Sequence, residues 1–373
     1  MNKELVIILS GANVTSGGPL TIFNDALHSL SQNPGCKIIA IVGNRELFYA
    51  GDNVEFIEIK NYKKFIFLKF YYEYIYYSKV SKKLQPDLWI SLNDFTPNIS
   101  AANVFTYFHN ASIFFDIKWS DFIFSRRVIF QKMYYRIFLG FNIKKNRKFI
   151  VQQNWIAERI SNIFQLPIHK LLLFKPDGAN ENSLTGSVIY EAEKQNDNFV
   201  IFYPTRAYGY KNIEVICEAI KLLSVKHNVK NIELRITIGE NENTYSKYLK
   251  TKFHDISITW LGLISKAEVN KHYSEAAVLV FPSRLETWGL PLSEFARYSK
   301  PIFAIDLEYA HETLEGYPYV AFFGSNDIDR LIGLLKSLID GERIEYFVGK
   351  KVSSNIESIH SWDELLHLGE VKN

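Results

Sequence analysis

Two glutamates frame a turn in the stretch FPSRLETWGLPLSEF, residues 281–295. Glu286 precedes Gly289 and Pro291, and Glu294 lies about a turn into the helical pattern that follows. Proline is tolerated in a first helical turn, where its missing N–H has no intrahelical partner, so a helix is predicted from about Pro291. The preceding AVLVFPS reads as a buried strand. A loop between a strand's carboxyl end and a helix's amino end gathers unpaired N–H groups and the positive end of the dipole. It attracts an anion, most naturally a phosphate. Gly289 lets the backbone approach closely. Carboxylates beside a phosphate are awkward unless they accept hydrogen bonds from hydroxyl groups. A nucleotide sugar presents both kinds of group, a diphosphate flanked by a ribose and a hexose. Glu294 would take the ribose hydroxyls and Glu286 would face the sugar.

Short Val, Ile and Phe runs alternate with helical segments along the whole chain, as in parallel α/β sheets. In the first half LVIILSG, KIIAIVG, VEFIEI, DLWISL and NVFTYFHN are strand candidates, and LTIFNDALHSLSQ a helix. In the second, FVIFYPTR, IELRITIG, ISITWLG, AVLVFPS, PIFAID and YVAFFG alternate with helical stretches, one of which lines up Ile213, Ile216, Ile220 and Leu223. Residues 175–198 are polar and read as a linker, with the boundary near 185. The expected architecture is α/β, two doubly wound Rossmann-like domains that face a common cleft with their strand C-terminal ends.

The totals agree. At 373 residues the chain exceeds what one core usually supports. A net charge of +3, with no zinc-finger spacing and no RNP-type motif, gives no reason to expect nucleic acid. Cys36 and Cys217 form no CxxC, so neither a disulfide framework nor a zinc site is expected, and a reducing cytoplasm fits. The apolar run LVIIL near the start is too short for a secretory leader, and FIFLKFYYEYIYY, interrupted by Lys69 and Glu73, is too short to span a bilayer.

Glu286, seven intervening residues and Glu294, set after VFPS and before KPIFAID, resemble the signature of retaining GT-B glycosyltransferases of family 4. In that family the second acid binds the nucleotide ribose and the first contacts the donor sugar. FYPTRAYGYKN resembles its Arg and Lys pair, which implies that Arg206 and Lys211 clamp the leaving diphosphate. TSGGP resembles its first glycine-rich loop, implying that Gly17 and Gly18 bring main-chain N–H groups to the phosphates. YFHN places His109 where the family has a histidine near donor and acceptor, with Asn110 beside it. Gly262, in TWLGLIS, matches a turn near the base, and Trp288, Gly289 and Leu290 continue the donor loop. Thr287 and Trp288 stand where the family usually has Gly and Phe, and Glu312 where it often has Glu. SIHSWDELL resembles the C-terminal helix that crosses back, with Trp362 as its anchor.

The resemblance implies residues 1–185 as an acceptor-side domain, 186–355 as the nucleotide-sugar domain and 356–373 as the crossover helix. It implies a hexosyltransferase without cofactor or metal, which retains anomeric configuration and takes a nucleotide-sugar donor and a glycan or polyprenyl-linked acceptor of O-antigen or capsule type. The Asp327–Ile–Asp329 run is better read as a helix N-cap than as a metal motif. Residues 60–84 and 125–149 mix Lys and Arg with Phe and Tyr, a pattern that lies in an anionic membrane interface or forms a core helix with exposed lysines. The first of these readings puts the protein on the inner face of the cell membrane. A sugar phosphorylase or epimerase of the same architecture stays open, as does a non-catalytic membrane scaffold in glycan assembly.

Overall fold

The computed structural model describes residues 4–49, 51–62, 64–174, 198–346 and 355–369. The expected linker at 175–197 and the boundary near 185 lie outside the described residues. The strands are β1 (Leu5–Gly11), β2 (Cys36–Val42), β3 (Val54–Glu58), β4 (Leu88–Ser91), β5 (Asn103–Tyr107), β6 (Lys148–Val151) and β7 (Leu171–Phe174), then β8 (Phe199–Tyr203), β9 (Ile232–Ile236), β10 (Ile258–Trp260), β11 (Val278–Phe281), β12 (Ile302–Ile305), β13 (Val320–Phe323) and β14 (Ser358–Ile359). They form two all-parallel sheets, ordered β14-β7-β6-β5-β4-β1-β2-β3 and β10-β9-β8-β11-β12-β13.

The chain divides into two compact units, the first comprising residues 1–113, 133–180 and 354–373 and the second 114–132 and 181–353. The grouping of 114–132 with the second unit is not anticipated by the sequence, which carries these residues in the first half between β5 and β6.

Strand pleating sorts the core of the first unit. Ile7 and Leu9 point into one apolar layer, with Phe23, Leu27 and Trp362, while Ile8 between them points into the other, with Tyr77 and Trp89. The chain's end is bound into the first layer. Trp362 is buried with its ring 4.4 Å from Phe174 and 5.6 Å from Tyr107, and β14 pairs with β7. This corrects the expectation of a simple crossover helix, because the return begins as a strand and Trp362 precedes the short helix Glu364–Gly369.

In the second unit the helix Ile213–His227 buries Ile213, Ile216, Ile220 and Leu223 as its period predicts. Asp327 caps Ile328–Ile339, its carboxylate accepting the Arg330 N–H at 3.0 Å. That satisfies an otherwise orphaned helix donor.

Candidate active site

Each sheet has a point at which chain order reverses. In the second sheet it falls between β8 and β11, which are hydrogen-bonded neighbours; β9 and β10 continue to one side, β12 and β13 to the other. The connections after β8 and β11 therefore leave in opposite directions and open a crevice at the carboxyl edge, where open α/β sheets bind ligands. Arg206 and Lys211 follow β8, and Glu286 and Glu294 follow β11. Two pairs of residues far apart in sequence thus share one edge of one sheet.

Lys211 lies in the single 3-10 turn Gly209–Lys211, separated from the next helix by Asn212 in the left-handed region, so it precedes that helix rather than opening it. Its carbonyl accepts the Tyr203 hydroxyl at 3.1 Å, and its Nζ is ion-paired with Glu286, both side chains mostly buried. Arg206 is exposed and makes no ion pair among the described residues. A guanidinium held open to solvent beside a lysine-carboxylate pair is a ready anion contact.

Gly289 has φ +80°, and a Cβ there would also lie 3.2 Å from both Leu292 and Tyr309, so conformation and packing each favour glycine. The helix Leu290–Ala296 follows with Pro291 in its first turn; it begins one residue earlier than predicted and spans seven residues. Trp288 is half-buried with its carbonyl held by the Thr313 hydroxyl, and Leu290 is exposed. Glu294 accepts the Tyr273 hydroxyl at 3.0 Å on one oxygen and meets Lys266 with the other. Burial first, then the Glu294 charge, pushes the Tyr273 hydroxyl far above its ordinary range, so it stays a donor. Gly262, at φ +68°, follows β10 at the sheet's edge.

The first sheet reverses between β1 and β4. Gly17 and Gly18 begin the helix Gly17–Ser31 after β1; Gly17 needs positive φ (+67°), and a Cβ on Gly18 would meet nothing within 4 Å. No protein atom within 4 Å therefore demands glycine at 18. His109 and Asn110 follow β5, and the Asn110 carboxamide accepts the Ser112 N–H at 2.9 Å.

The sequence reading missed Asp94. Buried and at φ +69°, it accepts the His109 N–H at 2.8 Å and the Tyr135 hydroxyl at 2.6 Å. Its Oδ1 also lies 3.0 Å from His109 Nδ1, out of line for a hydrogen bond. The signal available was the Asn93-Asp94 step directly after a strand, a combination enriched where the backbone turns left-handed. Also unforeseen is Glu73, sealed in the π-helical turn Tyr72–Tyr76 and bonded by Tyr62 and by Asn93 at 2.9 Å. Burial raises its carboxyl to about 7 against the pull of those donors.

Comparisons with known proteins bear on the fold and on the class of protein. Residues 189–351 match the family model of glycosyl transferases group 1. Over 188 residues the chain is 24% identical to the O-antigen chain mannosyltransferase RfbU of Salmonella typhimurium, an alignment covering 49% of each protein, so it spans about half the length of that curated relative. The lipopolysaccharide outer core galactosyltransferase WaaB, in its apo form, superposes with a TM-score of 0.62 over 92% of both chains at 15% identity. Sucrose-phosphate synthase from Thermosynechococcus elongatus superposes with a TM-score of 0.61 over 90% of both at 14% identity. The likeness to the two solved structures is one of fold, and the fold is GT-B.

Proposed function

We propose that this protein is a retaining glycosyltransferase that moves a hexose from a nucleoside-diphosphate sugar onto a glycan acceptor, a lipid-linked intermediate of a bacterial surface polysaccharide. The observation that carries the reading is the gathering of Arg206, Lys211, Glu286 and Glu294 at the chain-order reversal of the second sheet, within the segment that matches the glycosyl transferases group 1. The named activities of RfbU and WaaB, both hexosyl transfers in surface-glycan assembly, support the same class of reaction.

On this reading Glu294 exchanges Lys266 for the ribose hydroxyls while Tyr273 keeps its other oxygen in place. Arg206 and Lys211 take the charge that develops on the departing diphosphate, which is electrostatic stabilisation by groups already in position. Glu286 holds Lys211 at its post and accepts from a donor-sugar hydroxyl. No metal is called for, because the two cations carry the compensating charge. With both acids occupied in binding, attack on the face that the diphosphate leaves, with the phosphate as base, is the course favoured over a double displacement. By the resemblance to family 4, Gly17, Gly18, His109 and Asn110 are the first unit's donor-contact candidates, with Asp94 holding the His109 main chain.

A membrane surface as the acceptor's location is supported by the first unit. Phe67, Ile137 and Phe141 are exposed, Phe67 at 82%, and the helices carrying them pack together with Phe70 and Phe138 centroids 6.0 Å apart. Lys64, Arg136, Lys144 and Lys145 are exposed in the same two segments. Apolar rings ringed by cations suit an anionic interface. The remainder of the belt is core, since Tyr77 and Tyr135 are buried, and no helix among the described residues is long and apolar enough to cross a membrane. Flotation with vesicles containing phosphatidylglycerol should bring the protein up, and the pair Phe67→Ser and Ile137→Ser should leave it behind; equal flotation of both removes the membrane from the proposal.

The activity itself is tested by incubating the protein with UDP-galactose, UDP-N-acetylglucosamine or GDP-mannose and following nucleoside diphosphate and the anomeric configuration of the product. Release of nucleoside diphosphate with α product from α donor is expected. Release of sugar 1-phosphate, or conversion of one nucleotide sugar to another, would assign the site to a phosphorylase or an epimerase.

A further inference from the structure

Residues 114–132 carry none of the donor-site motifs, yet they touch three loops of the second unit. Lys118 Nζ donates to the Ser325 hydroxyl at 3.0 Å, and Asn212, beside Lys211, donates to the Ser325 carbonyl at 3.1 Å. Phe124 stacks near Tyr245 and Tyr248, and a Cβ on Gly209 would lie 2.6 Å from Phe124 Cβ, so glycine is what lets the strap close on the Lys211 turn. Phe115 packs edge-on to Tyr210 with centroids 6.3 Å apart.

The centre of this strap is Asp121, whose carboxylate grips Arg284 with both oxygens, one of them 3.1 Å from Nη1. Asp121 and Arg284 side chains are 1% and 6% exposed, and the guanidinium lies 5.1 Å above the Phe115 ring. Asp121 is itself preset by the Lys118 N–H at 2.7 Å. Arg284 stands two residues before Glu286, and its own N–H donates to the Tyr210 carbonyl at 2.8 Å, next to Lys211. The Arg284 main chain thus ties together the two loops whose tips carry the Glu286–Lys211 pair, and its side chain ties them to the strap.

A buried ion pair is poor evidence of stabilisation, because desolvation offsets much of the Coulomb gain, and apolar residues of like volume are often as stable. Its better-attested use is to fix one arrangement. Here the alternative is specific. Without Asp121 the Arg284 guanidinium is released two residues from Glu286 in the same loop, and a fork-shaped cation competes well against a lysine for a carboxylate.

We propose that Asp121 and Arg284 are positioning residues for the donor site: Asp121 occupies the Arg284 guanidinium so that Glu286 is left to Lys211, and both loops are held in register for transfer. This rests on the donor-site reading above. Neither residue is proposed to touch the donor.

The test uses the full chain with Asp121→Asn and with the apolar pair Asp121→Leu and Arg284→Met, each measured by thermal melting and by nucleoside diphosphate release from UDP-galactose, UDP-N-acetylglucosamine and GDP-mannose with water as acceptor. The apolar pair should melt close to the wild type and yet lose about 10- to 100-fold in kcat, the range a small misplacement of catalytic groups produces, with donor KM changed less than about threefold. Asp121→Asn should lose at least as much kcat. If Asp121→Asn fails to fold, the apolar pair still decides the matter. Wild-type kcat in the apolar pair would show the contact to be structural and overturn the positioning role alone. No release by the wild type from any of the three donors, together with no shift in its melting on adding them, would overturn the donor-site reading and this role with it.

Discussion

Two pairs of acids, one pair in each unit, are held in opposite ways. In the second, Glu286 and Glu294 are partly open, at 18% and 29% exposure, and each holds a lysine. In the first, Glu73 and Asp94 are sealed and answered mainly by neutral donors, Tyr62 and Asn93 for one, Tyr135 and a main-chain N–H for the other. The Lys266–Glu294 pair, its lysine 59% exposed, is worth only about 0–1 kcal/mol, so a ligand can take over that carboxylate at little cost. A sealed acid held by buried donors is not exchanged without disturbing its surroundings. The contrast separates acids positioned to bind from acids that shape the loops around them.

The largest effect expected from breaking this contrast is on Arg206, the open cation. Arg206→Ala should lower kcat about 10²- to 10³-fold while stability stays within about 0.5 kcal/mol, as for an exposed side chain. Nucleoside diphosphate release and thermal melting measured on the same preparation check it, and a fall in stability matching the fall in rate would erase the distinction.

Glu73 tests the sealed side. With its carboxyl raised by burial from 4.5 to about 7, the folded state keeps a proton that the unfolded chain has already lost across that interval. Its contribution to stability should therefore be greatest at the acid end and decline by roughly 3 kcal/mol as pH rises from about 4.5 to about 7. Glu73→Gln, which keeps an acceptor for Tyr62 and Asn93, should flatten that stretch of a urea-unfolding profile. An unchanged slope would place the titration elsewhere.

Glu294→Ala should weaken nucleoside diphosphate binding by about 10- to 100-fold, the worth of hydrogen bonds to a charged acceptor, as read by calorimetric titration with UDP or GDP. The smallest effect sharpens the comparison most. Lys266→Met removes only the exchangeable partner of Glu294, so stability should change by less than about 1 kcal/mol, and nucleotide binding should not weaken. Weaker binding would make Lys266 a ligand contact instead of a placeholder.

Much of this was legible in advance where one local rule dominates. Continuous Val and Ile runs gave away β1, β2, β8 and β11, and period alone placed the helix Ile213–His227. The strands β6 and β7 are four-residue runs wedged against Lys and Arg, too short to stand out from their flanks. Nothing local could reveal that 114–132 pack with the second unit, because the Asp121 to Arg284 contact spans 163 positions of sequence. The Glu286 and Glu294 spacing was visible, but their partners were not. Lys266 and Tyr273 lie in a helix whose sequence shows only ordinary solvated residues.

The central claim is that the edge of the second sheet at β8 and β11 grips a nucleotide sugar. A crystal structure of the protein with GDP-mannose or UDP-galactose tests it most directly. The account predicts ribose hydroxyls on Glu294 in place of Lys266, with the diphosphate against Arg206 and Lys211. A nucleotide bound elsewhere, with Glu294 still joined to Lys266, would contradict it.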